Sequence, residues 1–100
     1  MRIISRSRLL AYAETHAEAR VSLLHWLKIT QSATWETTQD VQSAFSKAKV
    51  LNAERVRFEV KGGDYRLIVA FDFRRQIAFV KFIGSHAEYD RVDALTVSQF

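Results

Sequence analysis

The chain is 100 residues long, 48% hydrophobic and 26% charged, the composition of a folded globular protein, and its length predicts a single domain over residues 1–100. Fifteen Lys and Arg against eleven Asp and Glu leave a net charge of +4, which favours an anionic partner, with nucleic acid ahead of a membrane surface. The lack of cysteine excludes disulfides, thiolate nucleophiles and Cys-ligated metals, and the only glycines, at 62, 63 and 84, cannot form a phosphate-cradling loop.

Ile3 and Ile4 predict a short first strand, after which Ser5 or Ser7 caps a helix. The basic start is not followed by a long apolar run, so neither a signal peptide nor a membrane span is expected. From Arg8 to about Thr34 strong helix formers predict two helices, divided near His16. In the second, Ala19, Leu23, Trp26, Leu27 and Ala33 recur at three- and four-residue steps, an apolar stripe with Trp26 as its core anchor. A short helix over Thr38–Phe45 lies in the polar connection that runs to Asn52.

The second half changes period. Arg55 to Val60 alternates polar with apolar residues, as a half-buried strand does. Lys61 to Asp64 is a turn, and Tyr65 to Phe73 a second strand. Arg74 and Arg75 lead into a third strand, Gln76 to Ile83, which Gly84 and Ser85 stop. Ser85 then caps a helix from His86 to about Ala94. Helices followed by an antiparallel meander make the fold class α+β.

Register assigns the two faces. Pairing Val60 with Tyr65 sets Glu59 opposite Arg66 and Arg57 opposite Ile68; pairing Phe73 with Gln76 sets Lys81 opposite Ile68 and Ile83 opposite Arg66. One face then presents Val56, Phe58, Val60, Tyr65, Leu67, Val69, Phe71, Phe73, Ala78, Val80 and Phe82, which the helices must cover. The other gathers Arg55, Arg57, Arg66 and Lys81 around the single carboxylate of Glu59, among Ile68, Ala70, Phe79 and Ile83. A strand is ordinarily polar on its wet side. Such an excess of cations on one sheet face goes further and suits a polyanion.

Proton-transfer chemistry is supplied at the end of the chain. His86 and Tyr89, at i and i+3, share a side of the last helix, flanked by Glu88 and Asp90. Metal chemistry is not. His16, His25 and His86 are isolated, no HExxH occurs, and Asp72 and Asp90 lack ligand-spaced partners, so neither metal nor cofactor is expected.

The stretch GGDYRLIVAFDF followed by RQIAFVKFIGSHAEYD resembles the second half of HigB-type toxins of bacterial type II toxin–antitoxin systems, in the RelE-like superfamily of mRNA interferases. The resemblance extends to MRIISR at the start and to LLHWLKITQSATW. It implies a small RelE-like domain, with N-terminal helices packed on an antiparallel sheet and a short C-terminal helix. It also implies a cytoplasmic endoribonuclease that cleaves mRNA on the ribosome without a metal, neutralised by a HigA-like helix-turn-helix antitoxin. In such toxins the substrate's 2′-OH attacks the adjacent phosphate, which requires a base, an acid and cations. Arg66, in the YRL match, would take the phosphate; His86 and Tyr89, in the HAEYD match, would serve as acid and base. Arg55, Arg57 and Lys81 would neutralise the RNA, with Lys49 adding a contact from the loop before the sheet. The alternative is a catalytically inactive RNA- or protein-binding module of the same fold. Retention of His86 and Tyr89 favours the enzyme.

Overall fold

The computed structural model describes residues 1–100. Strand β1 (Arg2–Ile4) leads into helix α1 (Arg6–Thr15), and a 3-10 turn at Ala17–Ala19 joins this to α2 (Arg20–Ser32). Ser5 occupies the position before α1, but with φ 69° its side chain makes no cap bond, contrary to the expectation of a serine cap. Helix α3 (Thr38–Ala44) opens on a reciprocal Thr37–Asp40 capping box. The sheet follows: β2 (Lys49–Val50), β3 (Arg55–Val60), β4 (Tyr65–Asp72), β5 (Ile77–Ser85), then the single turn of α4 (His86–Tyr89).

The fold is α+β, as the sequence predicts. The five strands lie in the order β1-β5-β4-β3-β2. The meander β3–β4–β5 is antiparallel, while β1 returns beside β5 in the parallel sense, so the whole sheet is mixed. The β3–β4 register is the expected one, with Val60 opposite Tyr65, Glu59 opposite Arg66 and Arg57 opposite Ile68.

The β4–β5 register is as expected only from Asp72 to Val69. Val69 faces Val80, but Ile68 faces Phe82 and Arg66 faces Gly84, so Lys81 is an extra residue in a β-bulge. The expected pairs Lys81–Ile68 and Ile83–Arg66 are therefore not formed. Beyond the bulge the faces exchange. Ile83 joins the core cluster, and Phe82, assigned by simple alternation to the core, is outside it. The strand also runs through Gly84 to Ser85, past the expected stop. The last helix is shorter than expected, ending at Tyr89 instead of near Ala94.

Trp26 is 2% exposed and meets Phe58 edge-on at 5.4 Å, so α2 is anchored on the sheet as its stripe predicts. Leu9 and Ala13 of α1, Leu23 and Leu27 of α2 and Val41 of α3 join it over one sheet face. On the other face residues 91–100 form an irregular strap. Its backbone is tied by Arg55 Nη1, which donates to the carbonyls of Ala94 at 3.1 Å and Val97 at 2.8 Å. Its far end reaches the part of β5 beyond the pairing with β1: Gln99 N donates to Lys81 O at 2.8 Å, and Ile83 N donates to Gln99 Oε1 at 2.9 Å.

Candidate active site

Arg66 is set by its own hairpin. Gly62 and Gly63 take φ of 64° and 96° in the turn from β3 to β4, where side-chain-bearing residues are strained. Gly63 also has no room for a side chain, since a Cβ there would lie 2.8 Å from Glu59 Oε1. Its carbonyl accepts a bond from Arg66 Nε at 3.1 Å, fixing the guanidinium against the turn. Opposite Arg66 stands Gly84, and the Phe82 ring covers the place that a Cβ on Gly84 would fill. The bulge thus brings Phe82 beneath the site.

Three predicted residues meet here. The Tyr89 ring lies 5.7 Å from the Arg66 guanidinium carbon and 6.0 Å from that of Arg57, within cation–π range of both. Phe82 stands behind it, with ring centroids 6.4 Å apart. Glu59 does not form an ion pair with its cross-strand neighbour Arg66. Its Oε2 pairs instead with Arg57 Nη2 at 3.4 Å, leaving Arg66 without a carboxylate partner. Arg57 is largely buried and its Nε has no partner, so this cation is under-satisfied.

His86 opens the same short helix, three residues before Tyr89. Its Nδ1 lies 3.1 Å from Asp90 Oδ2, and both side chains are more than half exposed. A carboxylate on Nδ1 orients an imidazole and leaves Nε2 open to solvent. The sequence places Asp90 beside Tyr89 without pairing it to His86, although an i, i+4 His–Asp pair is a readable signal. The helix itself is held by a capping box: Glu88 N donates to Ser85 Oγ at 3.1 Å, and Ser85 N donates to Glu88 Oε1 at 2.8 Å. The bond from Ser85 N to its Oε1, reinforced by the Ser85 side chain, holds the Glu88 carboxyl below the ordinary range. On the helix-covered side, Tyr65 donates to Glu18, while His16 stacks on Tyr12 at 3.8 Å. Burial pushes the Tyr12 hydroxyl up to about 12, and the bond to Glu18 does the same for Tyr65.

The remaining predicted cations are spread more widely. Lys49 stands beside Arg57 in the β2–β3 pairing and carries positive charge to the sheet edge. Arg55 is occupied by the strap carbonyls. Lys81, on the bulge, lies 5.5 Å over the Phe79 ring. Arg55 and Lys81 line a cavity at the far end of the face, together with Arg74 and Arg75, which the sequence reading treated only as turn residues. No three His, Asp or Glu side chains converge as a group able to hold a metal.

Helices packed on one face of a mixed five-stranded sheet, with a single turn of helix after the last strand, make a fold of the RelE-like kind. A family model described as HigB toxin, the RelE-like toxic component of a toxin–antitoxin system, matches residues 19–92. The chain belongs to that family. The match takes in Arg55, Arg57, Arg66, Lys81, His86 and Tyr89, and a toxin of this kind has an antitoxin as its partner. No curated protein matches the chain. No helix is long and apolar enough to cross a membrane.

Proposed function

We propose that this toxin is a metal-independent mRNA interferase that cleaves mRNA on the ribosome in the cytoplasm and is neutralised by a helix-turn-helix antitoxin. The observation that carries the reading is the convergence of Arg57, Arg66 and Tyr89 on one open sheet face of a RelE-like toxin. In the proposed reaction the substrate's 2′-oxygen forms a bond to the adjacent phosphorus as its proton passes to a base. The bond from phosphorus to the 5′-oxygen breaks, and that oxygen receives a proton from an acid. The products are a 2′,3′-cyclic phosphate and a 5′-OH.

Arg66, free of carboxylate, takes the non-bridging oxygens with its planar fork. Arg57 adds positive charge beside it. Tyr89 and His86 carry the two proton transfers, with Asp90 orienting the imidazole. Lys49, Arg55 and Lys81 serve the RNA backbone, Arg55 once the strap carbonyls release it.

Induction of the chain alone should arrest growth and translation, and co-expression of its antitoxin should relieve the arrest. Cleaved transcripts should carry 5′-OH ends, and cleavage should survive a chelator while the ribosomes retain their Mg²⁺. High soluble expression with intact mRNA would give the reading to a non-catalytic binding module. Ends bearing 5′-phosphate would contradict the 2′-OH mechanism.

A further inference from the structure

The cavity at the far end of the site face is an open cleft of about 610 Å³, within the range that holds small organic ligands. It lies beside Ala70, four residues along β4 from Arg66, or about 13 Å at the rise of an extended strand. Its floor includes Phe79, which is only partly buried, and its walls carry Arg55, Arg74 and Lys81. Asp72 lines it too, but its carboxylate is taken by Arg75, with Nε to Oδ2 at 2.7 Å. Glu54, at the rim, is the other acid. Neither Arg74 nor Lys81 forms an ion pair.

Two details suit this cavity to one kind of ligand. An aromatic ring facing a cavity offers a surface to a flat base, and unpaired cations beside it offer charge to the attached phosphate. That combination is how proteins hold single-stranded nucleic acid without reading its sequence. Phe79 and Lys81, two residues apart on β5, share a face of the sheet, and the ammonium lies 5.5 Å from the centre of the Phe79 ring. A duplex would present its phosphates but keep its bases stacked away from the ring. The strap holds Arg55 at the cavity wall through the carbonyls of Ala94 and Val97.

We propose that this cavity is a second RNA subsite, which holds one unpaired nucleotide of the same strand whose scissile phosphate lies at Arg66. Its base stacks on Phe79 in place of the Lys81 ammonium, which swings aside to hold the phosphate together with Arg74. The inference rests on the reading of Arg66 as the phosphate site, and it adds a grip on the strand away from the reacting bond.

The test measures binding instead of cleavage. Fluorescent 2′-O-methyl oligoribonucleotides, which lack the attacking hydroxyl, are titrated into the purified toxin as a dinucleotide and as a hexanucleotide. The hexanucleotide should bind the parent protein roughly tenfold or more tightly, as one stacked base provides. Phe79→Leu, which keeps the apolar volume, and Arg74→Ala, at an exposed position, should each remove most of that gain while leaving dinucleotide affinity unchanged. Arg66→Ala should weaken both oligonucleotides. If the gain with length persists in Phe79→Leu and Arg74→Ala, the subsite is overturned, and a weakened Arg66→Ala still supports the phosphate site. If Arg66→Ala binds both like the parent, the phosphate site itself falls. Weakened antitoxin binding in Phe79→Leu and Arg74→Ala, with oligonucleotide affinities unchanged, would overturn the proposal in favour of a protein-docking pocket.

Discussion

The two faces of the central sheet are built by different rules. On the helix-covered face, Val56, Phe58, Val60, Leu67, Val69 and Phe71 follow alternation through β3 and β4 and are all buried. On the open face, the parts that make a site break the pattern: a bulge at Lys81, a left-handed turn at Gly63, one turn of helix at His86–Tyr89 and an irregular strap. Regular periodicity builds the platform. The irregular elements fix the Arg66 guanidinium and bring Tyr89 beside it.

The two faces should therefore respond differently to substitution. Phe58→Ala should destabilise most, by about 3–5 kcal/mol, because the ring is the meeting point of Trp26, Phe45 and Phe71. Ile83→Ala should lower the melting temperature comparably to other buried aliphatic losses, at about 2–5 kcal/mol. A surface-like response at Ile83 would return it to the open face and remove the bulge from the account.

Gly63→Ala should cost about 1–3 kcal/mol for its left-handed backbone, and more for the displaced Glu59 carboxylate. It should also slow cleavage, since the Gly63 carbonyl holds Arg66; parental activity in a folded Gly63→Ala would show that the turn does not position that side chain.

The smallest effect belongs to the cap of α4. Ser85→Ala should cost about 0.5–2 kcal/mol in urea unfolding. Because the folded Glu88 carboxyl titrates below its unfolded value of 4.5, its contribution is present above that pH and lost as pH falls through the folded value. The urea midpoints of the parent and Glu88→Gln should differ at neutral pH and converge in acid. A constant difference would mean that the carboxylate charge does not support the helix.

Much of this fold is legible in the residue pattern. The Trp26 stripe, the β3–β4 register and the Ser85 cap all follow from spacing alone. The bulge is not legible, because Lys81-Phe82-Ile83 fits either side of an alternating strand and only packing decides that Ile83 enters the core. Residues 90–94 contain no proline or glycine to mark the early end of the C-terminal helix; in the structure the helix ends at Tyr89, and the carbonyls of Ala94 and Val97 accept from Arg55. Within the candidate site, alternation places Arg57 and Arg66 on one face, and the HAEYD stretch supplies Tyr89. Alternation also sets Lys81 and Phe79 on the open face; Arg74 joins them through the β4–β5 turn, which leaves no periodic signal.

The central claim is that Arg66 serves the phosphate and not the fold. The most direct measurement is single-turnover cleavage of a programmed ribosome by Arg66→Ala, read beside its melting temperature. Loss of a preorganised cation at the transition state should slow cleavage by about 10²–10³. Loss of its bond to the Gly63 carbonyl should cost no more than about 1.5 kcal/mol in stability. A variant that unfolds, or one that melts normally and cleaves at the parental rate, would contradict the account.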